Sequence, residues 1–168
     1  MTGITVDGLV FEFPDDWSVL KWDDTDFHCK QFQSVGGGSK ACDLVAMAPG
    51  EDRVWLIEAK DFRSATSPTS KDVIAQIACK ARDTLAGLWA AGSNAGVASE
   101  GSFARLARGR GSVRVVFHLE DTSPSSLFPA GTAAANVSMK LRQALGPIDP
   151  NAAVSSTAYP LGMGWIVR

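Results

Sequence analysis

The sequence predicts a mixed α/β domain, and three observations predict it. Apolar runs of strand length recur from Ile4 to Val167, and residues 72–91 repeat their apolar side chains at helical spacing. The early runs are separated by turn chemistry and the later ones by helical segments. Strands that begin as an antiparallel hairpin and continue through helical links imply one mixed sheet with helices over both faces. With 168 residues, 45% hydrophobic and 20% charged, the chain can bury the core of one domain spanning residues 1–168.

The elements follow in order. Residues 4–13 alternate as a bent strand or a tight hairpin around Asp7-Gly8, and residues 17–22 read as a short strand or a helix start. Asp23, Asp24 and Asp26 suit the first turn of a helix that would run to about Ser34 and stop before Gly36-Gly37-Gly38. Residues 41–48 and 53–61 are apolar runs around Pro49-Gly50-Glu51-Asp52, the pattern of a hairpin. Residues 72–91 form the strongest helix, with Thr69 or Ser70 as its cap. Residues 92–111, rich in Gly, Ser and Ala, read as an exposed loop with a helical turn near 103–107. A buried strand over 113–120, an amphipathic helix over 133–145 and a closing strand over 162–167 complete the chain.

Three charged residues stand inside the apolar hairpin: Asp43, Glu58 and Lys60. With the turn centred between Gly50 and Glu51, Asp43 falls opposite Glu58, and Lys60 shares their face because side chains alternate along a strand. Opposed carboxylates about 5 Å apart repel each other, so one takes up a proton or a cation lies between them. Mg²⁺, which accepts one or two carboxylates plus water and phosphate oxygens, fits that demand, with Mn²⁺ as its surrogate. The competing reading is an ordinary edge hairpin whose charges face water.

Asp43, a gap of 14 residues and then Glu58-Ala59-Lys60 at the end of an apolar strand resemble the signature of the PD-(D/E)xK nuclease superfamily. Cys42 stands where that signature often has proline. The resemblance covers residues 23–120 and implies a restriction-endonuclease-like core, here with an N-terminal hairpin and a C-terminal helix-strand extension. It implies Asp43, Glu58 and the Ala59 carbonyl as metal ligands and Lys60 as the catalytic lysine. It also matches Gln76, on the following helix, to a position that leans toward the metal or the phosphate, although Gln76 and Lys80 equally suit a solvated helix face. One of Asp23, Asp24 and Asp26 would complete the metal site.

Other features are less specific. Arg105, Arg108 and Arg110 form a basic cluster suited to a phosphate backbone or to an ordinary surface insertion, and Lys40 could touch phosphate from the hairpin edge. The glycines before Lys40 fail the phosphate-loop spacing, so no nucleotide cofactor is implied. Cys29, Cys42 and Cys79 have no paired spacing and read as thiols, while His28 and His118 have no partner that sequence identifies. Asp61, directly after Lys60, reads as a strand-end residue.

Two functions remain open at this stage. One is a Mg²⁺-dependent phosphodiesterase acting on nucleic acid, DNA first. The other is a non-catalytic or partner-dependent scaffold of the same fold in a defence, repair or recombination system, which a net charge of −2 favours. A homodimer or a protein partner would serve either. No run reaches the about 18 apolar residues of a membrane span and no secretory signal is visible, so a cytoplasmic location is expected.

Overall fold

The computed structural model describes residues 1–63, 70–120 and 133–168, with side chains in its two later-starting helices described from 73 and from 136. Two sheets organise these residues. The larger has five strands in the order β3 (Ser18–Lys21), β4 (Leu44–Met47), β5 (Arg53–Asp61), β6 (Ser112–Glu120) and β7 (Ala153–Ser155). The smaller holds β1 (Thr2–Val6), β2 (Leu9–Phe13) and β8 (Ile166–Val167). The expected mixed sheet is present: β3, β4 and β5 are antiparallel, whereas β5, β6 and β7 are parallel. A parallel step needs a long crossover, and helices α1 (Ser70–Asn94) and α2 (Ala98–Arg108) supply the one from β5 to β6. Helix α3 (Ala133–Leu145) lies between β6 and β7.

The helices do not cover both faces of the large sheet. Alternation along β4, β5 and β6 sends Val45, Met47, Val54, Leu56, Val115 and Phe117 to one face, where they pack on Ile74, Ile77, Ala81 and Leu88 of α1 and on Val137 and Leu141 of α3. The opposite face presents Leu44, Ala46, Trp55, Ile57, Ala59 and Val116. It is covered by the small sheet, through Val6, Leu9, Phe11 and Phe13, together with Trp165. A β-ribbon therefore replaces the second helical layer. Sequence periodicity marks apolar faces but not which faces meet.

Local chemistry explains most elements. The β1–β2 hairpin turns at Asp7 and Gly8, both with positive φ (51° and 82°), the backbone that Asp-Gly favours in a two-residue hairpin. Residues 92–111 are a correction. Helix α1 runs through Gly92 to Asn94 and α2 occupies most of the expected loop. Gly92 lies where the two helices meet, and a Cβ there would come within 2.6 Å of the Arg108 side chain.

The helix expected from Asp23 to Ser34 is instead three short turns: a 3₁₀ turn at Trp22–Asp24, a π-helical turn at His28–Phe32 and a 3₁₀ turn at Val35–Gly37. Local acids do not cap it. The Thr25 hydroxyl accepts the His28 N–H, and the Glu100 carboxylate, arriving from α2, accepts the N–H groups of Asp26 (2.8 Å) and Phe27 (2.9 Å). The segment expected as a closing strand is extended only at Ile166–Val167 and pairs with β2, because Gly162 (φ 61°) and Gly164 (φ 89°) turn the chain before it. Strand β7, three residues long, is too short to leave a periodic signal. The expected cap residues Thr69 and Ser70 lie outside the described side chains.

Candidate functional site

The hairpin register decides the site. Leu44 pairs with Ile57, which sets Asp43, one position outward, against Glu58. Glu58 is 1% exposed and Asp43 is buried, both on the helical face of the sheet. The Asp43 backbone oxygen accepts the Trp22 N–H (2.9 Å), and its Oδ2 accepts the Ala59 N–H (2.7 Å). That second bond aligns the carboxylate with the strand carrying Glu58.

The cation between them comes from α1. Lys80 Nζ donates to Glu58 Oε1 (2.7 Å) and Oε2 (2.8 Å) and lies 3.5 Å from Asp43 Oδ1. Lys60 Nζ approaches Glu58 Oε1 at 3.5 Å, with its side chain 38% exposed. Positions 80, 83 and 84 share one face of the helix, and the other two also hold the incoming chain. Asp83 Oδ2 accepts the Lys40 N–H (3.0 Å), and the buried Thr84 hydroxyl accepts the Cys42 N–H (2.8 Å). The solvated-face reading of Lys80 is thereby replaced: its helix face is sewn to residues 40–42, and its ammonium reaches both acids. A signal existed in the sequence, since Lys80 lies one turn beyond Gln76, the position first considered.

The three early acids separate clearly. Asp24 pairs with Lys21 (2.6 Å) and Asp26 with Lys30 (2.8 Å), both at the surface. Asp23 instead keeps a buried Oδ1 that has no hydrogen-bond partner among the described residues, and burial followed by the Asp43 charge pushes its carboxyl pKa up. Burial, reinforced by the Asp43 charge and opposed by Lys80, raises Glu58 to about 7. Burial pulls Lys80 down, but Glu58 and Asp43 together outweigh it and its pKa rises. Asp43 and Glu58 thus face two ammonium groups, Lys80 between them and Lys60 reaching solvent.

The remaining expected residues are not brought together. Gln76 is exposed and makes no hydrogen bond to the cluster among the described residues. Lys40 is exposed as well, tied only through its backbone. Arg110 donates to the Glu51 carbonyl in the turn that opens β5, so the basic cluster lies at the other end of that strand, about 17 Å from Glu58 at 3.3 Å per residue. Asp61 pairs with Arg63 (2.6 Å) at the strand end. Cys29, Cys42 and Cys79 are free, with Cys42 buried and its thiol pushed well up by that burial.

Sequence left His118 without a partner. It faces the small sheet, where its Nδ1 meets Ser155 Oγ (3.0 Å) and its Nε2 meets Glu120 Oε1 (3.0 Å). An ionised carboxylate can only accept, so Nε2 carries the proton and Nδ1 accepts from Ser155. Burial lowers the pKa of His118 and keeps the ring neutral.

Fold and site together define a mixed α/β protein with a buried acid–lysine cluster at the open end of a hairpin. No family model matches the chain, and no solved structure matches it. A Cysteine--tRNA ligase from Neisseria meningitidis serogroup A / serotype 4A (strain DSM 15465 / Z2491) is 32% identical over 169 aligned residues, covering 82% of this chain and 24% of that protein. The chain thus spans about a quarter of the length of the curated relative it matches.

This similarity overturns the expected nuclease, with its hydrolase activity, its preference for DNA and its nuclease-fold scaffold alternative. The expected metal-binding centre is corrected with it: among the described residues no three of His, Cys, Asp and Glu gather to hold a metal ion, and Lys80 already lies between the two acids. Among the same residues, no helix is long and apolar enough to cross a membrane.

Proposed function

We propose that this chain is an RNA-contacting module of a tRNA-ligase-related protein, and that the cluster of Asp43, Glu58, Lys60 and Lys80 meets tRNA phosphate. The observation that carries this reading is the similarity to a tRNA ligase across 82% of the chain. The cluster gives it chemistry. Lys60, anchored 3.5 Å from Glu58 yet 38% exposed, is a preformed ammonium for a phosphate oxygen. Glu58, its carboxyl raised to about 7 by burial, is a group that takes up a proton readily when an anion arrives.

The finer fold reading belongs to the same proposal. An antiparallel hairpin, a crossover helix bearing Lys80 and a parallel β6 support a restriction-endonuclease-like core.

Fluorescence anisotropy with labelled tRNA tests the reading, comparing the unaltered chain with Lys60→Ala. Saturable binding that weakens in the variant, with the salt slope reduced by about one, is expected. No tRNA binding at any salt, or no effect of Lys60→Ala, overturns it.

A further inference from the structure

Beyond the acid–lysine cluster, the structure gathers five arginines and an exposed tryptophan at the other end of the large sheet. We infer that Trp89, Arg108, Arg105, Arg110, Arg53 and Arg114 form a track for single-stranded RNA, phosphates on the guanidinium groups and a base on the indole. This inference rests on the proposed RNA-contacting role and names a second surface for it.

Two adjoining grooves define the track. One, of about 440 Å³, runs between the Gly50–Asp52 turn and the end of α2 and is lined by Arg105 and Arg110. The next, of about 470 Å³, lies over the starts of β5 and β6 and is lined by Arg110, Arg53 and Arg114. Arg110 lines both, so the grooves adjoin. Arg105 and Arg108 extend the line along α2 onto α1, where Arg105 donates to the Gly92 carbonyl and Arg108 to the Trp89 carbonyl.

How these arginines are held separates them from others in the molecule. Arg63, Arg82 and Arg168 form ion pairs with Asp61, Asp83 and Glu12 at 2.6, 2.8 and 3.2 Å. In the track, Arg105, Arg108, Arg110 and Arg114 are fixed by carbonyl and hydroxyl oxygens, which orient a guanidinium without neutralising it. The carboxylate approaches recorded there are long: Arg114 to Asp149 at 3.7 Å and Arg53 to Glu51 at 3.9 Å. Two of the nearby acids are engaged with backbone, Asp52 accepting from Gly111 and Asp149 from Val115 and Asn151. Arg110 Nε, at the junction, is buried with no acceptor among the described residues. Positive charge that is oriented and at most distantly paired is what a polyanion recognises.

Trp89 supplies the second half of the recognition. It is 66% exposed, and the Arg108 guanidinium lies 4.0 Å from its ring centre. Such a large apolar ring left in water beside a cation suits stacking of an unpaired base, which tolerates any base identity. A duplex keeps its bases stacked inside, so the indole favours single strands.

The test is anisotropy with a labelled single-stranded oligouridylate across about 50 to 200 mM salt, using the full chain. Arg105→Gln with Arg108→Gln, and separately Arg53→Gln with Arg114→Gln, should each weaken binding about tenfold and reduce the salt slope by about 1.4. Trp89→Ala should weaken it by about fivefold or more without changing the slope. Circular dichroism confirms that each variant folds. Unchanged affinity and slope in both arginine pairs overturn the track, as does tighter binding of duplex RNA than of the single strand. Lys60→Ala, measured with the same oligomer, separates the readings: a loss there alone supports the cluster and removes the track, whereas losses in the arginine variants alone do the reverse.

Discussion

Lys80 Nζ lies 2.7 and 2.8 Å from the two carboxylate oxygens of Glu58, so a helix ammonium occupies the position where opposed acids on a hairpin demand a cation. The contact links α1 to β5 across 22 residues of sequence and accounts for how two buried carboxylates coexist in an apolar sheet.

Removing that ammonium exposes the repulsion it offsets. Lys80→Met should destabilise the fold by about 3 kcal/mol at neutral pH, at the lower end for a buried pair because Lys80 keeps some solvent contact. Urea titration measures the loss.

Glu58 gives a pH signature of unusual sign. Its carboxyl is raised from 4.5 to about 7, so the folded chain binds that proton more tightly than the unfolded one. Its contribution is therefore fully present below about pH 4.5 and declines as pH rises through 7, by about 2 kcal/mol between pH 5 and 7.5. His118 acts oppositely: burial lowers its pKa, so its contribution grows as pH rises. Comparing urea unfolding of the parent with Glu58→Gln at both pH values cancels the histidine. The parent should lose stability relative to the variant as pH rises, and a constant difference would contradict a raised Glu58.

Glu100 is expected to matter for stability although it lies far from both ends of the hairpin in sequence. It accepts two N–H groups at the start of the segment beyond Asp23. Glu100→Ala leaves both without an acceptor, at a cost of about 2 kcal/mol. Thermal unfolding should shift down by about 4 to 8 °C.

Trp165 joins the two sheets. Its ring centre lies 5.1 Å from that of Trp55 and 5.6 Å from that of Phe13, and the residue is 5% exposed. Trp165→Ala should cost about 3 to 5 kcal/mol in denaturant unfolding. Trp165→Phe, which keeps an aromatic ring between the sheets, should cost less.

Much of the local structure was legible because it rests on neighbours in the chain. Asp7-Gly8 announced a turn, the alternation in residues 53–61 announced a strand, and the turn at Gly50 set Asp43 opposite Glu58. The irregular turns of residues 22–37 were not legible, since their cap is Glu100, more than 70 residues away. Helix α2 was hidden by a composition of Gly, Ser and Ala that suits close helix packing as well as a loop.

The sequence by itself determined the hairpin, the acids on its inner face and the strong helix after it, because strand period, turn chemistry and helical spacing act over a few residues. Tertiary structure alone decided that Lys80 lies between the acids, that Asp23 rather than Asp24 or Asp26 turns inward, and that the arginines line a separate end of the sheet. Those outcomes depend on which helix face meets which strand. Burying apolar surface fixes that choice for the whole molecule at once, and no short window of sequence encodes it.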